Sequence, residues 1–206
     1  MTLRLQCWLF VVGSACFAVG TAPGFAAAAN ATATNVLCFV GSWFFTSAAF
    51  IEFRLLPPHA DHADYFSALT QLVGTVLFNV STGTAVWAHR IPTERRFVWS
   101  PDAFGSILFL VSSVLAIAAI VVRVGFFKPD SRDWQDAWIN MAGSVAFGVS
   151  AVGAFVSKSG LTADEWLANT GTFVGALCFM AAALVALPPR DESGHVPDKG
   201  RSGTQQ

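Results

Sequence analysis

Uncharged stretches alternate with short charged segments along the chain. Residues 5–51, 66–88, 103–122, 137–157 and 166–187 contain no Asp, Glu, Lys or Arg. A hydrocarbon core about 30 Å thick takes about 20 helical residues to cross, so each of the last four stretches has the length of one span. The first stretch, of 47 residues, is long enough for two spans. Strands of a membrane β-barrel would be about half as long and would alternate polar with apolar residues. The pattern predicts an all-α, polytopic membrane helix bundle with six transmembrane helices.

Proline and capping residues place the ends of these helices. Ser100-Pro101-Asp102 combines a cap residue with proline at the first helical position, and residues 162–165 fit a capping box. The predicted helices cover about residues 5–21, 35–56, 66–89, 101–127, 134–158 and 163–187. They form one transmembrane domain over residues 1–187, followed by a disordered cytoplasmic tail over residues 188–206.

The first apolar run allows two interpretations. Arg4, the apolar run after it and the Ala-rich stretch 25–29 are typical of a secretory signal peptide with its cleavage site. The run nevertheless carries the same repeat as the later helices, which a disposable segment has no reason to share. We therefore expect residues 1–29 to be retained with the first helix, and cleavage would leave five spans.

A short repeat recurs in every predicted helix. It begins with Gly followed by Ser or Thr, has Phe four residues after the Gly, and has a small residue seven after it. Residue 175 is Gly in the sixth copy, where the others have Phe. The glycines of the six copies are Gly13, Gly41, Gly74, Gly105, Gly143 and Gly171. Their spacing, at 28, 33, 31, 38 and 28 residues, predicts three tandem helical hairpins.

The repeat has two interpretations. Small residues let membrane helices approach closely, so the glycines are predicted to be helix-packing positions. Alternatively, the adjacent hydroxyls line a polar pathway; these belong to Ser14, Ser42, Thr75, Ser106, Ser144 and Thr172. Since Ser and Thr can also bond to their own helix backbone, their presence alone does not establish a pore.

The repeat also resembles a known family. Residues 105–113, Gly-Ser-Ile-Leu-Phe-Leu-Val-Ser-Ser, and their relatives at 41–48 and 143–150 are similar to the core of the YrhK-like domain. This domain is a small helical membrane module of unknown function, found in multi-pass bacterial proteins. The resemblance implies a multi-pass bacterial membrane protein and carries over no catalytic or binding residue.

The charged residues predict the orientation. With six spans both chain ends lie on one side, which then carries eight Lys and Arg residues against four on the other. The positive-inside rule therefore predicts a plasma-membrane protein with both termini in the cytoplasm. The net charge of −1 gives no indication of a nucleic-acid partner. The lipid bilayer is the expected partner, together with a second copy of the chain or another membrane protein.

Few residues carry candidate chemistry. No catalytic, nucleotide-binding or metal-binding motif occurs, so no enzyme activity, catalytic residue or cofactor is predicted. The loop 59–64, with two His and two Asp, is predicted to be solvated and to cap the third helix, with a metal site as the alternative. Gln71, Asn79 and Asn140 are polar groups that lipid should not face, and interhelical hydrogen bonds or a solute site would explain them. Glu52 and Arg123 should lie at nearly equal depth, so they either form an ion pair or extend separately to the headgroups.

Three functional hypotheses follow from these observations. The first is a structural or interaction module of packed hairpins, and its alternative is a small-solute transporter or channel. An intramembrane enzyme is the third and has the least support, because no nucleophile, metal cluster or paired carboxylates are evident. A polar cavity running past Asn79 and Asn140 would favour transport, and a dry, closed bundle would favour the module.

Overall fold

Helices make up nearly all of the structure. The computed structural model describes residues 1–88, 90–157 and 159–189, so the tail predicted over residues 188–206 lies outside the described residues apart from its first two residues. The long helices are α1 (Leu3–Thr21), α3 (Ala31–Leu55), α4 (His62–Trp87), α6 (Ser100–Val124), α7 (Arg132–Gly153) and α8 (Glu165–Ala186). Two short helices, α2 (Phe25–Ala29) and α5 (Ile91–Thr93), lie in connections, and a π-helical segment, Glu94–Trp99, leads into α6. Within the described ranges the fold is all-α, as predicted, apart from an isolated bridge between Val156 and Thr162.

Four helical segments are long and apolar enough to cross a membrane. They are α1, α3, the continuous run Ile91–Val124 and α8. Helices α4 and α7 have similar lengths, at 26 and 22 residues, but carry more polar side chains. The sequence-based count of six spans is therefore a proposal, considered below.

The long helices form a closed ring. Each packs against its neighbours in the chain, and α8 returns to pack against α1. Packing is most extensive within the pairs α1/α3, α4/α6 and α7/α8, so the ring consists of three antiparallel hairpins. The Arg4 guanidinium, near the start of α1, donates a 3.0 Å hydrogen bond to the Pro189 carbonyl, just beyond α8. Both ends of the described chain therefore lie on the same face of the ring.

Glycine and phenylalanine interlock the two helices of each hairpin. A Cβ atom placed on Gly13 would lie 2.7 Å from Phe45 Cδ2, and one on Gly41 would lie 3.1 Å from Phe17 Cδ2. The same reciprocal arrangement joins Gly74 to Phe109 and Gly105 to Phe78 in the second hairpin. A side chain at any of these glycines would collide with the ring or backbone of the partner helix.

Contacts within the third hairpin show that the sixth repeat has a different register from the one predicted from the sequence. Its reciprocal pairs are Gly143 with Phe179 and Gly175 with Phe147. Gly175, rather than Gly171, is therefore equivalent to the other repeat glycines, and Phe179 stands four residues after it. Gly171 lies one turn away, where a Cβ atom would come within 2.8 Å of the Ser150 backbone nitrogen. Sequence matching chose Gly171 because the Gly-Thr pair there has the expected composition, whereas Gly175 is followed by Ala176.

The six repeat phenylalanines fill the centre of the ring, and we call this cluster the phenylalanine plug. The first helices of the hairpins contribute Phe17, Phe78 and Phe147, whose ring centroids lie 5.5–6.4 Å apart. The second helices contribute Phe45, Phe109 and Phe179, with Phe179 within 5.8 Å of Phe45 and 5.7 Å of Phe109. All six side chains are at most 5% exposed. The plug thus closes the axis of the ring with two apolar layers.

Candidate functional site

Two cavities open along the axis, one on each side of the phenylalanine plug. We call the cavity on the side of the chain ends the proximal cavity, and the cavity on the opposite side the distal cavity. The proximal cavity consists of adjoining spaces of about 70 and 250 Å³ that share Glu52, Gln71, Asp136 and Asn140 in their walls. The distal cavity has a volume of about 220 Å³.

Carboxylates dominate the proximal cavity. Glu52 comes from the end of α3 and Asp136 from the first turns of α7, and both are partly buried. Among the described residues, neither carboxylate forms an ion pair or accepts a side-chain hydrogen bond. Asp133 lines the wider space as well. Because a carboxylate away from bulk water is costly unless it is protonated, paired or hydrated, these groups mark the proximal cavity as a candidate functional site.

Two amides complete the same wall. Gln71, from α4, is only 4% exposed, and its Oε1 has no hydrogen-bond partner in the described structure. Asn140, from α7, is partly buried and lies one turn beyond Asp136. A buried amide oxygen without a partner costs free energy, which a ligand in the cavity would recover.

Hydroxyl and amide groups surround a single carboxylate in the distal cavity. Asp102, from the first turn of α6, lines it together with Asn35, Thr82, Ser150, Asn169 and Thr172. Several of these groups already have partners within the protein: Asn35 Nδ2 donates to the Ala85 carbonyl at 2.9 Å, and Ser150 and Thr172 share a 2.7 Å hydrogen bond. Among the described residues no basic side chain pairs with Asp102.

The repeat register determines which residues reach the axis. The position three residues before each repeat glycine faces a cavity in all six helices, once Gly175 replaces Gly171. In the first helices of the hairpins this position is Phe10, Gln71 and Asn140, which line the proximal cavity. In the second helices it is Cys38, Asp102 and Thr172, which line the distal cavity. Sequence reasoning missed Asp102 and Asp136 as site residues because each stands near a helix start, where an acid also fits the helix dipole.

The four candidate polar residues have different surroundings. Glu52 and Asn140 line the proximal cavity. Asn79 lies away from both cavities, between α3 and α4, where its Nδ2 donates to Thr46 Oγ1 at 2.7 Å and its Oδ1 accepts from Ser42. This is the interhelical hydrogen bonding that the sequence offered as one explanation of Asn79.

The ion pair hypothesised between Glu52 and Arg123 is absent from the structure. Arg123 instead pairs with Asp64, with 2.6 Å between Nη1 and Oδ2. The similar depth of Glu52 and Arg123 in the membrane suggested Glu52 as the partner of Arg123. However, Arg123 lies on α6, which packs directly against α4, and the first turn of α4 carries Asp64. The Arg123 side chain is 45% exposed and lies at the mouth of the proximal cavity.

The alternative that the repeat hydroxyls form a polar pathway is not supported by their positions. Ser14, Ser42, Thr75, Ser106 and Ser144 are at most 2% exposed and line neither cavity. Ser42 lies within hydrogen-bonding distance of the Phe39 carbonyl as well as of Asn79, and Thr75 donates to the Leu72 carbonyl of its own helix. Ser106 donates to the Phe147 carbonyl, and Ser144 bonds Ser113 across α6 and α7. Thr172 does line the distal cavity, because its place in the corrected register differs from that of the other five.

Neither the arrangement of potential metal ligands nor comparison with known proteins assigns a function to the chain. Within the described residues no group of three or more His, Cys, Asp and Glu side chains is placed to hold a metal ion, and this includes the loop 59–64. Comparison with protein-family models, curated proteins and solved structures finds no match for the chain. The resemblance to the YrhK-like domain therefore stays a prediction.

Proposed function

We propose that this protein is a six-span transporter or channel for small inorganic cations, gated by the phenylalanine plug. One observation carries the proposal: acid-lined cavities approach the plug from both sides, and neither Glu52, Asp136 nor Asp102 has a basic partner among the described residues. Acidic side chains facing a water-filled cavity in a membrane protein are typical of ion pathways and proton relays. The proposal includes protons among the cations.

The outer surfaces of α4 and α7 support six spans. Val73, Val76 and Val80 on α4 are exposed, as are Val145, Val149 and Val152 on α7. The polar residues that lower the mean hydropathy of these helices, including Gln71, Asp136 and Asn140, face the proximal cavity instead. Each helix therefore presents an apolar surface to lipid and a polar surface to the axis.

The distribution of basic residues supports an orientation. Arg4, Arg54, Arg123, Lys128 and Arg132 lie on the proximal side, whereas Arg90, Arg95 and Arg96 lie on the distal side. The remaining basic residues used in the sequence-based count, Lys158 and those after residue 189, lie outside the described residues. By the positive-inside rule the proximal cavity faces the cytoplasm of a plasma-membrane protein.

The orientation can be tested by cysteine labelling. In a variant without native cysteines, Asn169→Cys lies on the distal side and Arg54→Cys on the proximal side, and both positions are exposed. A membrane-impermeant thiol reagent added to intact cells should label Asn169→Cys alone. Labelling of Arg54→Cys alone would indicate the opposite orientation. Labelling of both cysteines would contradict the proposal that the two positions lie on opposite sides of the membrane.

Cation flux into vesicles tests the function. The purified chain, reconstituted into liposomes that contain a cation- or pH-sensitive dye, should dissipate an imposed cation gradient. Glu52→Gln, Asp136→Asn and Asp102→Asn should each lower the flux, because each removes an unpaired charge from a cavity. Glu165→Gln, at the exposed start of α8, is the matched control and should leave the flux unchanged. Flux equal to that of empty vesicles for every cation tested would overturn the proposal.

The structural or interaction module remains the second candidate function. The reciprocal glycine–phenylalanine contacts explain the repeat by packing alone, and buried phenylalanine side chains fill the centre of the ring. A module of this kind would show no flux, and its hairpins would retain a membrane-protein partner during mild solubilisation. The flux measurement therefore separates the two candidates.

A further inference from the structure

The proximal cavity combines charge and unused coordinating atoms in one place. Glu52 and Asp136 supply carboxylates from α3 and α7, while Gln71 and Asn140 supply amides from α4 and α7. Gln71 is the independent indication of a ligand, because its side chain is 4% exposed, lines the cavity and leaves Oε1 without a partner. Three different helices thus direct oxygen-bearing groups to a single space.

The charge of this wall matches a divalent cation. With both carboxylates ionised the wall carries a formal charge of −2, and among the described residues no basic side chain pairs with either of them. The basic residue in the wider space, Arg123, is engaged by Asp64 at the mouth. In a poorly solvated space a bound divalent ion would leave the site neutral, whereas a monovalent ion would leave a net charge.

The number and type of oxygens fit the same ion. Two carboxylates and two amides offer up to six oxygen atoms, and Ca²⁺ takes about six to eight oxygen ligands. Mg²⁺ uses fewer protein oxygens and retains several waters. The inner space, of about 70 Å³, has room for an ion with a few waters, and Phe10 and Phe179 also line it. Carboxylate and carbonyl oxygens without thiolate or imidazole favour such hard cations over zinc or copper.

The mouth of the cavity favours cation entry. Asp133 lines the wider space, and Asp64 neutralises the Arg123 guanidinium there. Acidic walls with low-dielectric surroundings concentrate counter-ions, so divalent cations would accumulate next to the site.

We propose that Glu52, Asp136, Gln71 and Asn140 form a binding site for a hard divalent cation, Ca²⁺ or Mg²⁺, in the proximal cavity. The inference deepens the proposed cation pathway by naming the class of its ion, and it rests on that function for its biological meaning. Binding itself does not depend on transport and can be measured separately.

Ion binding to the purified full-length protein tests the site. Isothermal titration in detergent with CaCl₂ and MgCl₂, and electron paramagnetic resonance with MnCl₂, should detect binding to the native chain. Glu52→Gln and Asp136→Asn should weaken it by at least the roughly 10–100-fold that loss of an outer-shell partner typically costs. Gln71→Leu should weaken it as well, whereas Glu165→Gln, at the exposed start of α8, is the matched control and should bind normally. Saturating ion should also raise the melting temperature of the native protein but not of Glu52→Gln.

The outcomes separate this site from the proposed function. Absence of binding by all three ions, or equal binding by all variants, would overturn the site, and flux in the same preparation would leave the cation pathway standing. Selective binding without any flux would support the site and contradict the pathway. A variant that unfolds is identified by its melting curve without ion, and the comparison then rests on the remaining two.

Discussion

The proximal and distal cavities occupy equivalent places in the ring but have different chemistry. At the position three residues before each repeat glycine, the proximal cavity has Phe10, Gln71 and Asn140, and the distal cavity has Cys38, Asp102 and Thr172. Among the described residues, two unpaired carboxylates, Glu52 and Asp136, lie beside the amides of the proximal cavity, and one, Asp102, lies in the distal cavity. The distal groups are also largely engaged with one another or with backbone carbonyls.

This difference shows that packing and chemistry are separable in the repeat. The glycine and phenylalanine positions are the same in all three hairpins, since they fix how the helices interlock. The cavity positions vary because they contact neither the plug glycines nor lipid. A nearly symmetric scaffold thus presents an asymmetric pair of cavities.

The largest expected effect comes from removing the barrier that keeps the cavities distinct. Phe109 is 1% exposed at the centre of the plug, and Phe109→Ala should lower the free energy of unfolding by about 3–5 kcal/mol. The space it leaves would join the two cavities and raise the flux through reconstituted vesicles. Phe104→Ala is the matched control, because Phe104 lies on the same helix and is 63% exposed. Unfolding in detergent and vesicle flux provide the readouts, and equal stability of the two variants would contradict a packed plug.

A smaller effect is expected when a larger side chain at a repeat glycine pushes against the phenylalanine plug than when a phenylalanine is removed from it. A Cβ atom on Gly105 would lie 2.6 Å from Phe78 Cδ2, so Gly105→Leu should destabilise the protein by about 1–3 kcal/mol. Equivalent losses are expected for Gly41→Leu, Gly143→Leu and Gly175→Leu. Ala118→Leu adds the same side chain to the exposed surface of α6 and should leave the melting temperature nearly unchanged. If the glycine variants also melted normally, the repeat would not be a packing contact.

The smallest effect concerns the mouth of the proximal cavity. A double-mutant cycle on Asp64→Asn and Arg123→Gln should give a coupling energy of about 0.2–1 kcal/mol, because the pair is partly exposed. The corresponding cycle on Glu52→Gln and Arg123→Gln should be additive within about 0.5 kcal/mol. Denaturant unfolding of the single and double variants measures both cycles. If Arg123 were coupled to Glu52 and not to Asp64, the ion pair suggested by their similar depth would exist after all. The proximal cavity would then have one unpaired carboxylate fewer, and its charge would be closer to that of the distal cavity.

Properties that depend only on position along the chain could be predicted from the sequence. The charge-free stretches predicted an all-α membrane protein because span length and the absence of charge are one-dimensional features. Asn79 and Asn140 were recognised as polar groups that lipid should not face, for the same reason. Glu52 and Arg123 were placed at similar depth, but depth does not say which neighbouring helix each side chain meets.

Properties that depend on rotation about the helix axes were harder to predict. Gly171 and Gly175 both lie on the α7-facing side of α8, and only the contact with Phe147 identifies Gly175 as the repeat glycine. The same register error concealed that Thr172 and Asp102 occupy equivalent positions. Asp136 was overlooked because its neighbours Arg132 and Asp133 made the start of α7 resemble an ordinary solvated helix end.

Closure of the ring between α8 and α1 means that the chain could begin at any of the three hairpins and keep the same neighbours. Arg4 already bonds the Pro189 carbonyl, so the first and last helices are held together without a covalent connection. A circular permutant that links residue 189 to residue 1 and opens the chain within residues 125–131 would retain every helix–helix interface. In the same way, a primitive two-helix polypeptide assembling as a trimer could have built this architecture before duplication and fusion made it a single chain.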